Sequence, residues 1–306
     1  MTTAAYLLIY GAVVTWLSPP LLSHLTRRGV SARLGVALWL TAITGALLAW
    51  AAAITLIVST GVGGLPHSST LVLCLEMLGV PEKVATPGPL SVLLLIAIGL
   101  VVSTAVSIKA GRLVLDLRAR SREHAHTARL VGQPTGRDDV FVVTADRPAA
   151  YCVVGRPNAI VVTSAAVQKL DQRQLAAVLA HENAHISGRH HHLLMVLRAL
   201  AGALPHLPLF TRGAVAVGEL LEMCADDAAA RRHGTRPLVA GMIMLAGPQP
   251  HLAGGLAVAA TAVFVRANRL LDPAHRATRR CHQLLVSTVI AAIVSAPVIV
   301  NLLCHH

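Results

Sequence analysis

"LAAVLAHENAHISGRHHHLL", residues 175–194, decides how this chain is read. Its opening turns are apolar, as a buried helix requires. Yet His181, Glu182 and His185 stand in the middle of it. Residues four apart on an α-helix share a face, about 6 Å apart along the axis. His181 and His185 have that spacing, and two ring nitrogens so placed can meet one metal ion at about 2.0–2.1 Å each. Glu182 is rotated about 100° from His181 and can reach a metal-bound water without being a ligand. This is the H-E-x-x-H spacing, with the glutamate as general base. Chance is the competing account, since the chain holds 16 histidines. Chance leaves two imidazoles on an apolar face without partners, whereas a metal satisfies both.

Two ligands do not complete a catalytic zinc site; a third protein ligand is needed, with the fourth position left to water. "ELLEMCADDAAARRHG" (219–234) offers Glu222 and Asp226, again four apart on one helical face. Glu222 is the expected third ligand, with Glu219 as competitor. Asp226 is expected to bind the outer ring nitrogen of a ligand histidine and fix its tautomer. Asp171, with Gln174 three residues on, predicts the N-terminal cap of the helix that carries the histidines.

The surroundings of these motifs are apolar. Of 306 residues 55% are hydrophobic and 13% charged, against about 25% charged in soluble domains. Stretches 4–22, 34–59, 90–108 and 284–303 are each long enough to cross about 30 Å of hydrocarbon. The net charge of +12 would suit nucleic acid, but its distribution does not. Apart from Lys83, every Lys and Arg falls in 27–33 or 109–280. That asymmetry is the positive-inside pattern, and 3% aromatics leaves little for base stacking. The threading that follows has three spans within 1–108, a cytoplasmic block at 109–281, and a fourth span within 282–306. Both termini lie outside, and residues 60–88 form an outer loop. The five cysteines lack CxxC spacing and read as small buried residues, with a Cys74–Cys304 bridge conceivable on the outer face.

Within the block, 139–167 ("DVFVVTADRPAAYCVVGRPNAIVVTSAAV") reads as two or three short strands parted by turn residues. "AAYCVVGRP" is the candidate edge strand on which an extended substrate could pair. The apolar stretch 193–218, broken by prolines and arginines, is expected to lie against the membrane surface. His190, His191 and His192 read as exposed, and the cluster Arg266, Arg269, Arg276, Arg279 and Arg280 as charge facing acidic lipid. Pro297 is expected to kink the last span. His190, His233 and Tyr151 are the candidates for stabilising an oxyanion.

"HENAH" followed by "EMCADDAA" resembles the H-E-x-x-H and E-x-x-A-D-x-x-A motif pair of gluzincin-type membrane metallopeptidases. With three spans before the domain and one after, the chain resembles the antirepressor metallopeptidases of the Bla/Mec β-lactam-response systems. The resemblance implies a mainly α, four-span membrane protein with a cytoplasmic α+β protease domain of small sheet plus motif helix. It implies zinc on His181, His185 and Glu222, with Glu182 as base and Asp226 behind the ligands. The implied partners are a protein substrate, a DNA-binding winged-helix repressor, and the lipid bilayer. Direct nucleic-acid contact is not expected, and a homodimer is left open. Relatives of that type carry a penicillin-binding sensor domain after the last span; here the sequence stops at "NLLCHH", so direct β-lactam sensing is in doubt. The rivals are a protease that clears damaged membrane proteins and a non-catalytic receptor whose structural zinc takes Asp226 or His190 as fourth ligand.

Overall fold

The structure, a computed structural model, describes residues 3–62, 89–137, 139–155, 157–246 and 255–304. Most of the expected outer loop, Cys74 included, lies outside the described residues, as do His305 and His306. Among the described residues, four helices are long and apolar enough to cross a membrane. They are α1 (Thr3–Thr26), α2 (Ala32–Val62), α3 (Pro89–Val131) and the last, α10 (Arg276–Cys304). The apolar and charged parts of α3 form one continuous helix, since no proline interrupts it past Pro89.

Helices α1, α2 and α10 pack together. The turn between α1 and α2 is set by Gly29, at φ 58°, where a side chain would also collide with Met223 Sδ. Proline has no N–H, so Pro297 leaves the carbonyl four residues earlier without its helical partner. That carbonyl belongs to Ile293, and the Tyr10 hydroxyl of α1 donates to it at 2.7 Å. A buried backbone carbonyl needs a partner, and here one helix supplies what another lacks.

Between α3 and α10 the described residues form a small sheet and six further helices. The strands are β1 (Gln133–Pro134), β2 (Val140–Val143), β3 (Ala150–Val153) and β4 (Ala159–Thr163), in the order β1-β2-β4-β3. β2 and β4 are parallel; the other two pairings are antiparallel. β4 is buried along its whole length, as its run "AIVVT" requires, and β3 takes the edge. Helix α4 (Ser164–Lys169) follows, capped by the Thr163 hydroxyl. Next comes α5 (Gln172–Ser187), which opens on a reciprocal capping box between Asp171 and Gln174. One face of α5, through Val178, packs on Cys152, Ile160 and Val162 of the sheet.

The remaining helices are α6 (His190–Ala203), α7 (Pro208–His233), α8 (Thr235–Ala246) and α9 (Gly255–Leu271). The stretch 193–218 does not lie flat on a surface as its composition suggested. It splits into most of α6 and the first half of α7, and Leu209, Phe210 and Val217 bury themselves with Trp39, Ile43 and Leu38 of α2. Pro205 falls in the break, and Pro208 sits at the first turn of α7, where a missing N–H costs nothing. Gly213 permits the close approach: an added Cβ would stand 3.0 Å from Ile43 Cδ1.

Candidate active site

Helix α5 presents His181 and His185 on one face, and α7 packs across it with Glu222 and Asp226. The two imidazoles turn their Nε2 atoms toward each other at 3.1 Å. Glu222 completes a triangle, with Oε2 3.6 Å from His181 Nε2 and Oε1 3.5 Å from His185 Nε2. For bonds of 2.0–2.1 Å, the edges of a zinc tetrahedron are about 3.4 Å long, so the three side chains fit that ion. Among the described residues they form the one group of three His, Cys, Asp or Glu side chains able to share a metal. Glu219 is exposed and stands outside this group.

Behind the triangle lies Asp226, fully buried at 0% exposure. Its Oδ1 is 3.1 Å from His181 Nδ1, close but off the line of a good hydrogen bond. A buried carboxylate needs more than one such contact, and Arg266 of α9 supplies it. The guanidinium donates from Nε and Nη2 to the two Asp226 oxygens at 2.7 and 2.6 Å, while Nη1 reaches Glu222 Oε2 at 3.0 Å. Arg269, one turn on, pairs with Asp227 at 2.7 Å. These two arginines therefore do not face lipid, as the sequence suggested; Arg276, Arg279 and Arg280 are exposed. Sequence reasoning paired Asp226 with a ligand histidine and missed this guanidinium, 40 residues away.

Charge in the cluster is finely set. Burial opposes a proton on His181, but Asp226 and Glu222 outweigh it and hold the pKa at about 9. Burial pushes His185 well below the usual imidazole range, with the neighbouring His181 adding to it. Against burial, His181 and Arg266 hold Glu222 low, and Arg266 and His181 hold Asp226 at about 2. Two carboxylates thus stay ionised beside the imidazoles, and a divalent cation bound among them would displace the proton that they hold on His181. Burial pushes Glu182 up from the ordinary carboxylate value, the direction a base working near neutral pH needs.

A cleft of about 350 Å³ opens in front of His181, Glu182, His185 and Glu222. Tyr151 and Cys152 of the edge strand line one part of it, with Leu117 of α3 and Arg198 of α6 also in its lining. The Cys152 N–H points away from β4 and donates to Glu182 Oε2 at 2.8 Å, so the outer edge of β3 faces the chemistry. Of the three oxyanion candidates, Tyr151 lines this cleft. His233 is exposed at the end of α7. His190 is buried, not exposed as its polar neighbours suggested, and its Nδ1 stands 3.0 Å from His185 Nδ1, on the side away from the triangle.

Paired imidazoles on one helix, a carboxylate beside them and an accessible strand edge are the means of a metal-dependent peptidase carried on apolar, membrane-type helices. The model of peptidase family M48 matches residues 115–280, more than half of the chain, and the chain belongs to that family of zinc metallopeptidases. The match takes in the sheet, both motif helices and Arg266. No solved structure matches the chain.

Proposed function

We propose that this M48 peptidase is an integral-membrane zinc endopeptidase whose His181, His185 and Glu222 hold the metal. Glu182 is the general base, and Asp226 orients His181. The single observation carrying this reading is the 3.1–3.6 Å triangle of ligand atoms with Glu182 beside it in one cleft. Asp226 and His190, the side chains that could close a structural zinc site, stand at the outer nitrogens of the histidines, which favours the catalytic reading over a receptor.

Bound zinc would supply a Lewis acid for the scissile carbonyl and lower the pKa of the attacking water toward 7. Glu182 takes the proton from that water and delivers it to the leaving amine. Substrate in extended form pairs with the outer edge of β3, a strand-addition mode, where the Cys152 N–H donates to Glu182.

The distribution of Lys and Arg supports a cytoplasmic catalytic block, 109–281, with both termini on the opposite side. On the resemblance of motif pair and span order, the substrate is a cytoplasmic winged-helix repressor, and cutting it releases β-lactam or cell-envelope response genes.

Two variants test the mechanism. Glu182→Gln should retain zinc and lose at least about 100-fold in cleavage rate, the usual worth of a general base. Glu222→Ala should weaken zinc binding itself. Undiminished cleavage by Glu182→Gln removes the proposed base. Proteomes of cells carrying wild type or Glu182→Gln then identify the substrate: one accumulating repressor supports the regulatory role, whereas many accumulating membrane proteins refute it.

A further inference from the structure

Each member of the ligand triangle has one partner behind it. His181 has Asp226 from α7, and Glu222 has Arg266 from α9. For His185 that partner is His190, the first residue of α6, whose Nδ1 lies 3.0 Å from His185 Nδ1. The two rings meet edge to face, 4.9 Å between centroids and 86° between planes. His190 is 9% exposed, an unusual place for the first of three consecutive histidines at a helix start.

The backbone is bent to put it there. Arg189 has φ 52° and ψ 32°, the left-handed conformation, which is uncommon for a residue with a side chain. This turn brings the start of α6 back under the last turn of α5. Gly188 completes the arrangement, because a Cβ at that position would collide with His190 Nε2. Backbone strain of this kind persists where the surrounding structure demands it, and it collects at functional sites.

We infer that His190 is a positioning residue for the proposed ligand His185, fixing its ring through the outer nitrogen and so strengthening metal binding. The inference rests on the zinc reading above. A His185 that offers the Nε2 lone pair to a metal carries its hydrogen on Nδ1. That N–H donates to His190 Nδ1, which leaves the His190 hydrogen on Nε2. The imidazole ring of His185 is thereby held in one tautomer and one orientation. Partners of this type typically alter metal affinity 10- to 100-fold.

The test is zinc affinity of the full chain in detergent, measured by competition with a chromophoric chelator, alongside the melting temperature without metal. His190→Ala should weaken zinc by about 10- to 100-fold. His190→Asn, whose Oδ1 can stand where Nδ1 stood, should recover most of that loss. His190→Gln, which extends its amide further out, should not. Gly188→Ala, which displaces the ring without removing it, should weaken zinc as well and covers the case in which His190→Ala does not fold. Wild-type affinity in His190→Ala, or equal loss in the Asn and Ala variants, overturns the inference. A wild-type chain that binds no zinc instead overturns the proposed metal site beneath it.

Discussion

The first half of α7 and its second half are buried by opposite means. From Leu209 to Val217 the helix fits apolar side chains against α1 and α2, with Phe210 6.1 Å from the ring of Trp50. From Glu222 onward the same helix buries a carboxylate as deeply as it buried phenylalanine, since Asp226 and Leu209 are both at 0% exposure. Apolar burial stabilises in proportion to area and needs no particular neighbour. Burial of Asp226 is tolerable only because Arg266 and His181 are placed on it. One half of the rod is therefore tolerant of remodelling, and the other fails if a single partner is moved.

That contrast can be broken most sharply at Arg266. Arg266→Ala leaves Asp226 buried with His181 as its one remaining partner, and breaking a buried pair costs about 3–5 kcal/mol. The metal-free protein should lose that stability, read as a drop in melting temperature or denaturant midpoint. An unchanged midpoint would mean that Asp226 does not depend on the guanidinium. In the apolar half, Phe210→Ala should cost about 3 kcal/mol, while Phe210→Leu should recover much of it. Equal loss in both would contradict the tolerance assigned to that half.

Acid titration sharpens the comparison further. Asp226 is held at about 2 in the folded chain, against an ordinary value of 3.8. A depressed carboxylate contributes its stability above the unfolded value and loses it as pH falls through the folded one. The window is therefore about pH 4 down to pH 2, and the contribution is roughly 2 kcal/mol by the usual 1.36 kcal/mol per unit. Melting curves of the metal-free protein should fall across that window, and the fall should shrink in Arg266→Ala. A fall of the same size in both proteins would detach it from this pair. The smallest effect is expected outside α7, at the start of the motif helix. Asp171→Ala removes the cap and should cost about 1 kcal/mol, leaving zinc affinity unchanged because the cap lies far from His181 along the helix.

What could be read in advance follows from how local each signal is. The cap of α5, its apolar face and the His181–His185 pair lie within one 16-residue helix, and its periodicity carries them together. Glu222 and Asp226 were equally local to α7. The four long apolar helices and the edge position of β3 were legible for the same reason: each is carried by one local run of residues. Arg266 was hidden because a salt bridge across 40 residues leaves no mark on either segment. His190 was hidden because three histidines in a row look solvated, and only the left-handed turn at Arg189 folds the first of them inward. The prolines near 205 and 208 misled for a third reason. They suggested a broken surface segment, whereas they sit where helices begin and end, and the arginines at 198 and 212 keep to the exposed sides.

The clasp between Tyr10 and the Ile293 carbonyl joins the earliest helix of the chain to one made almost 300 residues later. Without the later helix the Tyr10 hydroxyl loses this acceptor, and without the earlier one the carbonyl that Pro297 leaves without a helical N–H loses this donor. The contact can therefore close only after residue 293 has been made, so it belongs to a late step in the folding of these two helices.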